Sequence, residues 1–228
     1  MDMKKIIACA ALVMGVVIFN GRLNAAVESD IVGYTTITTV SGFNMVGIMF
    51  NGVNGVAASI NDIMSGEFAD GDEIQIWDAS ANNYVFRTWN TTKGGWCEGR
   101  TFSTTPIAPG TAFWLKTPGR SVSVTLAGAV PVEESLIDLN AGFQMIAANS
   151  PIALSLNDLT WTNLTDGDEV QFIKPGEQDY TFYIYNTAKG GWCKGRTLLT
   201  KEDAIPVGSS LWLKVANSNA TVKIPAAL

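Results

Sequence analysis

The sequence predicts an all-β protein made of two tandem homologous β modules, packed as a pseudo-two-fold sandwich or small-barrel pair with short helical turns. Three observations predict it: an internal repeat at nearly constant offset, short β-branched and aromatic segments punctuated by Gly and Pro, and only two brief stretches with helical character.

The repeat is clearest between residues 84–101 and 180–197, where twelve of eighteen positions are identical at an offset of 96. The same offset pairs Asn61-Asp62 with Asn157-Asp158, and Asp70-Gly71-Asp72-Glu73 with Asp166-Gly167-Asp168-Glu169. Upstream the offset becomes 100, matching Gly42-Phe43-Asn44-Met45 to Gly142-Phe143-Gln144-Met145. Downstream it becomes 98, matching Gly110 and Trp114-Leu115-Lys116 to Gly208 and Trp212-Leu213-Lys214. Length changes fall between the blocks, where loops absorb them at small entropic cost. The modules are read as residues 27–129 and 130–228, and the short junction around Pro131 favours packed copies over beads on a linker.

Within the first copy, Ile31 to Val40 is rich in β-branched residues and Gly42 opens a turn into Phe43–Phe50. Asp70-Gly71 turns into Glu73–Trp77, whose alternation points Ile74 and Ile76 the same way. Tyr84–Trp89 makes the next strand, Gly94-Gly95 leads into Trp96-Cys97, and Pro109-Gly110 leads into Ala112–Lys116. A last strand carries Val122, Val124 and Leu126 on one face. Helical turns are expected only at Ala57–Met64 and Leu154–Leu159.

The chain begins with Lys4-Lys5, an uncharged apolar run from Ile6 to Phe19, and then Asn24-Ala25-Ala26. That order is the pattern of an export signal over residues 1–26, and the run is short of the ~20 residues a spanning helix needs. Retention as an anchor is the alternative. The whole chain has 15 basic and 21 acidic residues; losing Lys4, Lys5, Arg22 and Asp2 leaves 12 and 20, a net charge of −8. With no basic run, nucleic acid and anionic membrane surfaces are disfavoured as partners. Histidine is absent, which removes the usual general base and the commonest transition-metal ligand. No cofactor and no catalytic residue is expected.

After export only Cys97 and Cys193 remain, at equivalent positions. A disulfide across the axis relating the copies would close a loop worth about 4–5 kcal/mol in the chain-entropy model. Buried free thiols and bridges to neighbouring molecules are the alternatives. Trp96 and Trp192, with Arg100 and Arg196 four residues on, either pack over the end of the β core or offer ring faces to a glycan or a protein. Asp70, Asp72, Asp166 and Asp168 are weak calcium candidates, because the run of alternating oxygen ligands found in dedicated calcium loops is missing. Capping of the turn by the Asp side chains is the simpler reading.

Ile31-Val32-Gly33-Tyr34, Gly42-Phe43, Asp70-Gly71-Asp72, Gly95-Trp96 and Pro109-Gly110 with Phe113-Trp114-Leu115-Lys116 form a set. In this set the chain resembles uncharacterised exported all-β repeat proteins of environmental and gut bacteria. The second copy departs from the pattern, with Val207-Gly208 and no Val-Gly-Tyr. The resemblance implies an exported protein of the surface, periplasm or an assembly, and brings no catalytic residues. The leading expectation is a non-catalytic structural or interaction protein, a subunit of a surface layer or extracellular filament. Its Thr-rich strand from Tyr34 to Val40 would pair edge to edge with another subunit. The alternative is a carbohydrate-binding module using the Trp96 and Trp192 loops.

Overall fold

The computed structural model describes residues 30–78 and 80–226, so the expected export segment lies outside the described residues. Among the described residues no helix is long and apolar enough to cross a membrane.

The first copy runs β1 (Val32–Thr38), β2 (Gly42–Gly47), β3 (Met64–Gly66), β4 (Glu73–Asp78), β5 (Asn83–Asn90), β6 (Gly95–Glu98), β7 (Thr101–Phe102), β8 (Ala112–Thr117) and β9 (Ser123–Ala129). The second repeats it as β10 (Ser135–Asp138), β11 (Gly142–Ala147), β12 (Thr160–Thr162), β13 (Glu169–Ile173), β14 (Tyr180–Asn186), β15 (Gly191–Lys194), β16 (Thr197–Leu198), β17 (Ser210–Val215) and β18 (Thr221–Ile224). The helical turns shrink to one four-residue helix, Ile60–Ile63, and a 3-10 turn, Leu156–Asp158, with further 3-10 turns at Val53–Gly55 and Lys201–Asp203.

Each copy forms a six-stranded sheet and a three-stranded sheet, all antiparallel. The orders are β2-β8-β4-β5-β6-β7 with β1-β9-β3, and β11-β17-β13-β14-β15-β16 with β10-β18-β12. Their facing sides share one core. In the first copy Val46, Ile74, Trp96, Phe113 and Leu115 of the larger sheet meet Ile37, Met64, Val124 and Leu126 of the smaller. Two open sheets over a common core make a sandwich rather than a closed barrel. The alternation seen in the sequence does this work: Ile74, Val124 and Leu126 have no exposed surface, and Val122 retains 3 %.

The two larger sheets meet through β2 and β8 against β11 and β17. Two hydrogen bonds cross the seam in a matched way. Gly47 N–H donates to the Gly208 carbonyl at 2.9 Å, and its equivalent Ala147 N–H donates to the Gly110 carbonyl at 2.9 Å. A Cβ on Gly47 would lie 2.5 Å from the Ala147 Cβ, which places both residues beside the approximate two-fold axis. Gly110 and Gly208 have φ values of 86° and 82°, the left-handed region that explains the glycine in both Pro-Gly and Val-Gly turns. Met45 and Trp114 of the first copy belong to the core cluster of the second, so the copies share apolar packing.

Candidate interaction surfaces

The Gly-Gly-Trp-Cys element is internal. Trp96 and Trp192 are fully buried, each opposite an aromatic residue in the adjacent strand, Trp89 and Tyr185. Trp96 packs edge-on against Phe68 at 4.8 Å and Trp89 at 5.5 Å, and Trp192 against Trp161 at 5.1 Å and Tyr185 at 5.5 Å. Neither buried indole N–H has a hydrogen-bond partner among the described residues. A sugar or a partner finds no face of either ring to touch, so of the two readings of Trp96 and Trp192, packing into the core holds and the platform does not. Arg100 and Arg196 are exposed, and their carbonyls accept from Lys93 and Lys189.

A side chain that sequence reasoning passed over holds this element in place. Asn61 Oδ1 accepts the Trp96 N–H at 2.7 Å, while its Nδ2 donates to the carbonyls of Trp96 at 3.0 Å and Ser103 at 2.8 Å. Asn157 repeats the clamp on Trp192 and Leu199. The signal was the Asn-Asp pair kept in both copies. Its aspartate caps the preceding serine: Asp62 accepts the Ser59 N–H at 2.8 Å, and Asp158 accepts the Ser155 N–H at 3.0 Å.

Cys97 and Cys193 are free, buried thiols, which corrects the expected bridge. The axis passes by β2 and β11, whereas the cysteines sit on β6 and β15, near the far ends of the two sheet orders. Each sulfur faces a carbonyl of its own strand, Gly95 at 3.7 Å and Gly191 at 3.8 Å.

The four aspartates answer backbone donors. Asp70 accepts from Thr91 N–H at 2.8 Å and Asp166 from Thr187 N–H at 2.6 Å. The latter bond, reinforced by the Thr187 hydroxyl, holds the Asp166 carboxyl below its usual range. Buried Asp72 accepts from Ala69 N–H at 2.9 Å and pairs with Arg120; buried Asp168 accepts from Thr165 N–H at 2.8 Å and Ala216 N–H at 2.9 Å. Among the described residues no group of three or more metal-binding side chains converges.

Two surfaces stand out among the described residues. The first is β1, an outer strand paired, among those residues, only with β9. Val130 N–H donates to Ile31 O and Thr39 N–H to Val122 O, so the odd residues face β9. The alternation then turns the N–H and C=O groups of Val32, Tyr34, Thr36 and Thr38 toward the free edge. The same four side chains are exposed, Tyr34 to 78 %. No charge, proline or bulge interrupts the strand. Its counterpart β10 is four residues long, carries Asp138, and lies beside the Glu134–Lys223 ion pair of 2.7 Å.

The second is the rim of the seam between the copies. Phe43 is edge-on to Trp114 at 6.2 Å, Trp114 to Tyr180 at 6.3 Å, and Tyr180 lies 6.0 Å from Phe182. The other side repeats this with an extra ring. Phe143 stacks on Trp212 at 6.0 Å, Trp212 meets Trp77 at 5.6 Å, Trp77 meets Tyr84 at 5.0 Å, and Tyr84 lies 6.4 Å from Phe86. A cleft of about 490 Å3 opens there, walled by Trp77, Phe143 and Trp212 with Asn82, Asn140, Ala141 and Gly142.

Compared with known proteins, the chain matches no family model, no curated protein and no solved structure.

Proposed function

We propose that the protein is a non-catalytic, exported interaction protein that pairs with a second copy of itself through β1, the dimer being the unit from which a surface layer or filament is built through further contacts. The observation that carries this reading is the uncharged, unblunted free edge of β1. Natural sheets commonly protect such edges with charge, proline, a bulge or brevity, and β1 has none of these. The second copy has both charge and brevity at the equivalent place.

The strand is also self-complementary. Antiparallel pairing about Thr35 sets Tyr34 opposite Thr36 of a second copy and Val32 opposite Thr38. Every outward N–H and C=O then finds a partner, and no like charges meet. The leader-like first 26 residues and the resemblance to exported repeat proteins support a setting outside the cytoplasm.

Sedimentation of the leader-free protein over a wide concentration range tests this. Association is expected, and Tyr34→Lys with Thr36→Lys abolishes it without unfolding, since both side chains are exposed. A strictly monomeric protein at high concentration, or assembly indifferent to the two lysines, overturns the reading.

A further inference from the structure

The seam cleft marks a place where the two-fold relation fails, and the failure leaves an opening on one side only. The residue equivalent to Trp77 is Ile173, and the residue equivalent to Asn82 is Gln178. On the Ile173 side, Gln178 Nε2 donates to the Phe43 carbonyl at 3.3 Å, and its Oε1 lies 3.4 Å from where a Gly42 Cβ would stand. The longer amide thus occupies the space in front of Gly42 and Phe43. On the Trp77 side the matching carbonyl, Phe143 O, accepts from Trp77 Nε1 at 3.3 Å. The shorter Asn82 stops at the rim, and the space in front of Gly142 and Phe143 stays open.

What lines that space defines a ligand. Every wall residue is neutral, and the Lys214 ammonium next to them is engaged over the Phe143 ring, 5.6 Å from its centroid. Trp77 and Trp212 supply apolar ring surface beside Phe143, and Asn82 and Asn140 each bring a carbonyl acceptor and an NH2 donor. No intramolecular partner for either side-chain amide is found among the described residues, and both residues are exposed. The cleft volume falls in the usual range for small-molecule sites, about 300–1,000 Å3. Apolar ring faces beside uncommitted amides suit a neutral molecule that is apolar on its faces and rich in hydroxyls at its edge.

We infer that the Trp77–Phe143–Trp212 cleft binds a neutral sugar unit, stacked on the aromatic walls with its hydroxyls bonded to Asn82 and Asn140. This site is separate from β1 and does not depend on self-assembly. It is also distinct from the buried Trp96 and Trp192.

Calorimetric titration tests it, with neutral oligosaccharides of β-linked glucose, xylose, mannose and N-acetylglucosamine each added to about 10 mM, enough to reveal millimolar affinity. At least one is expected to bind the wild type with one site per chain. Trp77→Ile and Asn82→Gln import the residues of the closed side. The first falls on a strand in both copies, whereas Asn82 has a left-handed φ of 48° that Gln178 does not share, so the second brings some backbone strain. Each is expected to weaken binding about tenfold or more, and Asn140→Ala about threefold to tenfold, roughly the loss of one or two uncharged hydrogen bonds. The thermal midpoint, measured on the same samples, shows that the variants remain folded. No binding by any of the four sugars, or binding unchanged in the folded Trp77→Ile, Asn82→Gln double variant, overturns the inference.

Discussion

At the residue scale, the two copies solve one packing problem with different chemistry. Arg87, with 8 % of its side chain exposed, pairs with Glu98 at 2.8 Å on the neighbouring strand; the equivalent positions hold Tyr183 and Lys194. The Glu98 carboxyl lies below its usual range, first through the Thr105 hydroxyl, then through Ser103 and the Arg87 charge. A carboxylate lowered on folding contributes stability above its unfolded pKa, about 4.3, and that contribution is lost as pH falls through the folded value. Glu98→Gln is therefore expected to cost about 1 kcal/mol near neutrality, allowing for solvent screening at a carboxylate 40 % exposed, and to flatten the loss of stability in acid. Arg87→Tyr with Glu98→Lys, which copies the second module, should fall within about 1 kcal/mol of wild type. Urea unfolding at neutral and acid pH measures both. A double variant weaker than Glu98→Gln alone would show that the copies are not interchangeable here.

At the scale of elements, the clamp by Asn61 and Asn157 ties a helical turn to the strand that carries the buried tryptophan. Asn157→Ala leaves the Trp192 N–H and the carbonyls of Trp192 and Leu199 without their partner, at an exposed side chain that sits over two buried residues. The expected cost is about 1–3 kcal/mol by denaturant titration, with faster amide exchange across β15. Strand positions were legible because they rest on local alternation and turn residues: Glu73–Trp77, Tyr84–Trp89 and Ala112–Lys116 all lie within strands. The clamp was not, because its hydrogen bonds join residues 35 and 42 positions apart, and a paired Asn-Asp reads equally well as a cap. Trp77 and Trp96 fall on opposite sides of that limit. Ile74 and Ile76 face inward, so alternation alone puts Trp77 on the opposite face; a Gly-Gly turn gives no such parity for Trp96, which register with Trp89 sends into the core.

At the scale of the molecule, the seam rather than the cysteines joins the copies. The repeat announced that two modules exist, but which faces meet depends on contacts between residues about a hundred positions apart, and no periodicity encodes them. A Cβ at Gly47 would lie 2.5 Å from the Ala147 Cβ and 2.7 Å from the Ser209 carbonyl oxygen, backbone that cannot turn aside. Gly47→Ala is accordingly expected to destabilise by about 1–3 kcal/mol. With a core shared across the seam, heat should unfold the wild type in one transition with equal calorimetric and van't Hoff enthalpies. Two separate transitions in the wild type would contradict shared packing.

The meeting of Gly47 with Ala147 has a consequence for the covalent joining of the copies. Two separate, identical chains related by a true dyad must place the same residue on both sides of it. Alanine twice would collide, and glycine twice would leave a methyl-sized gap at the centre. A single polypeptide escapes that choice: one side keeps a methyl group and the other makes room for it. The same freedom lets Trp77 stand where its counterpart is Ile173, so continuity of the chain permits a one-sided cleft in an otherwise paired design.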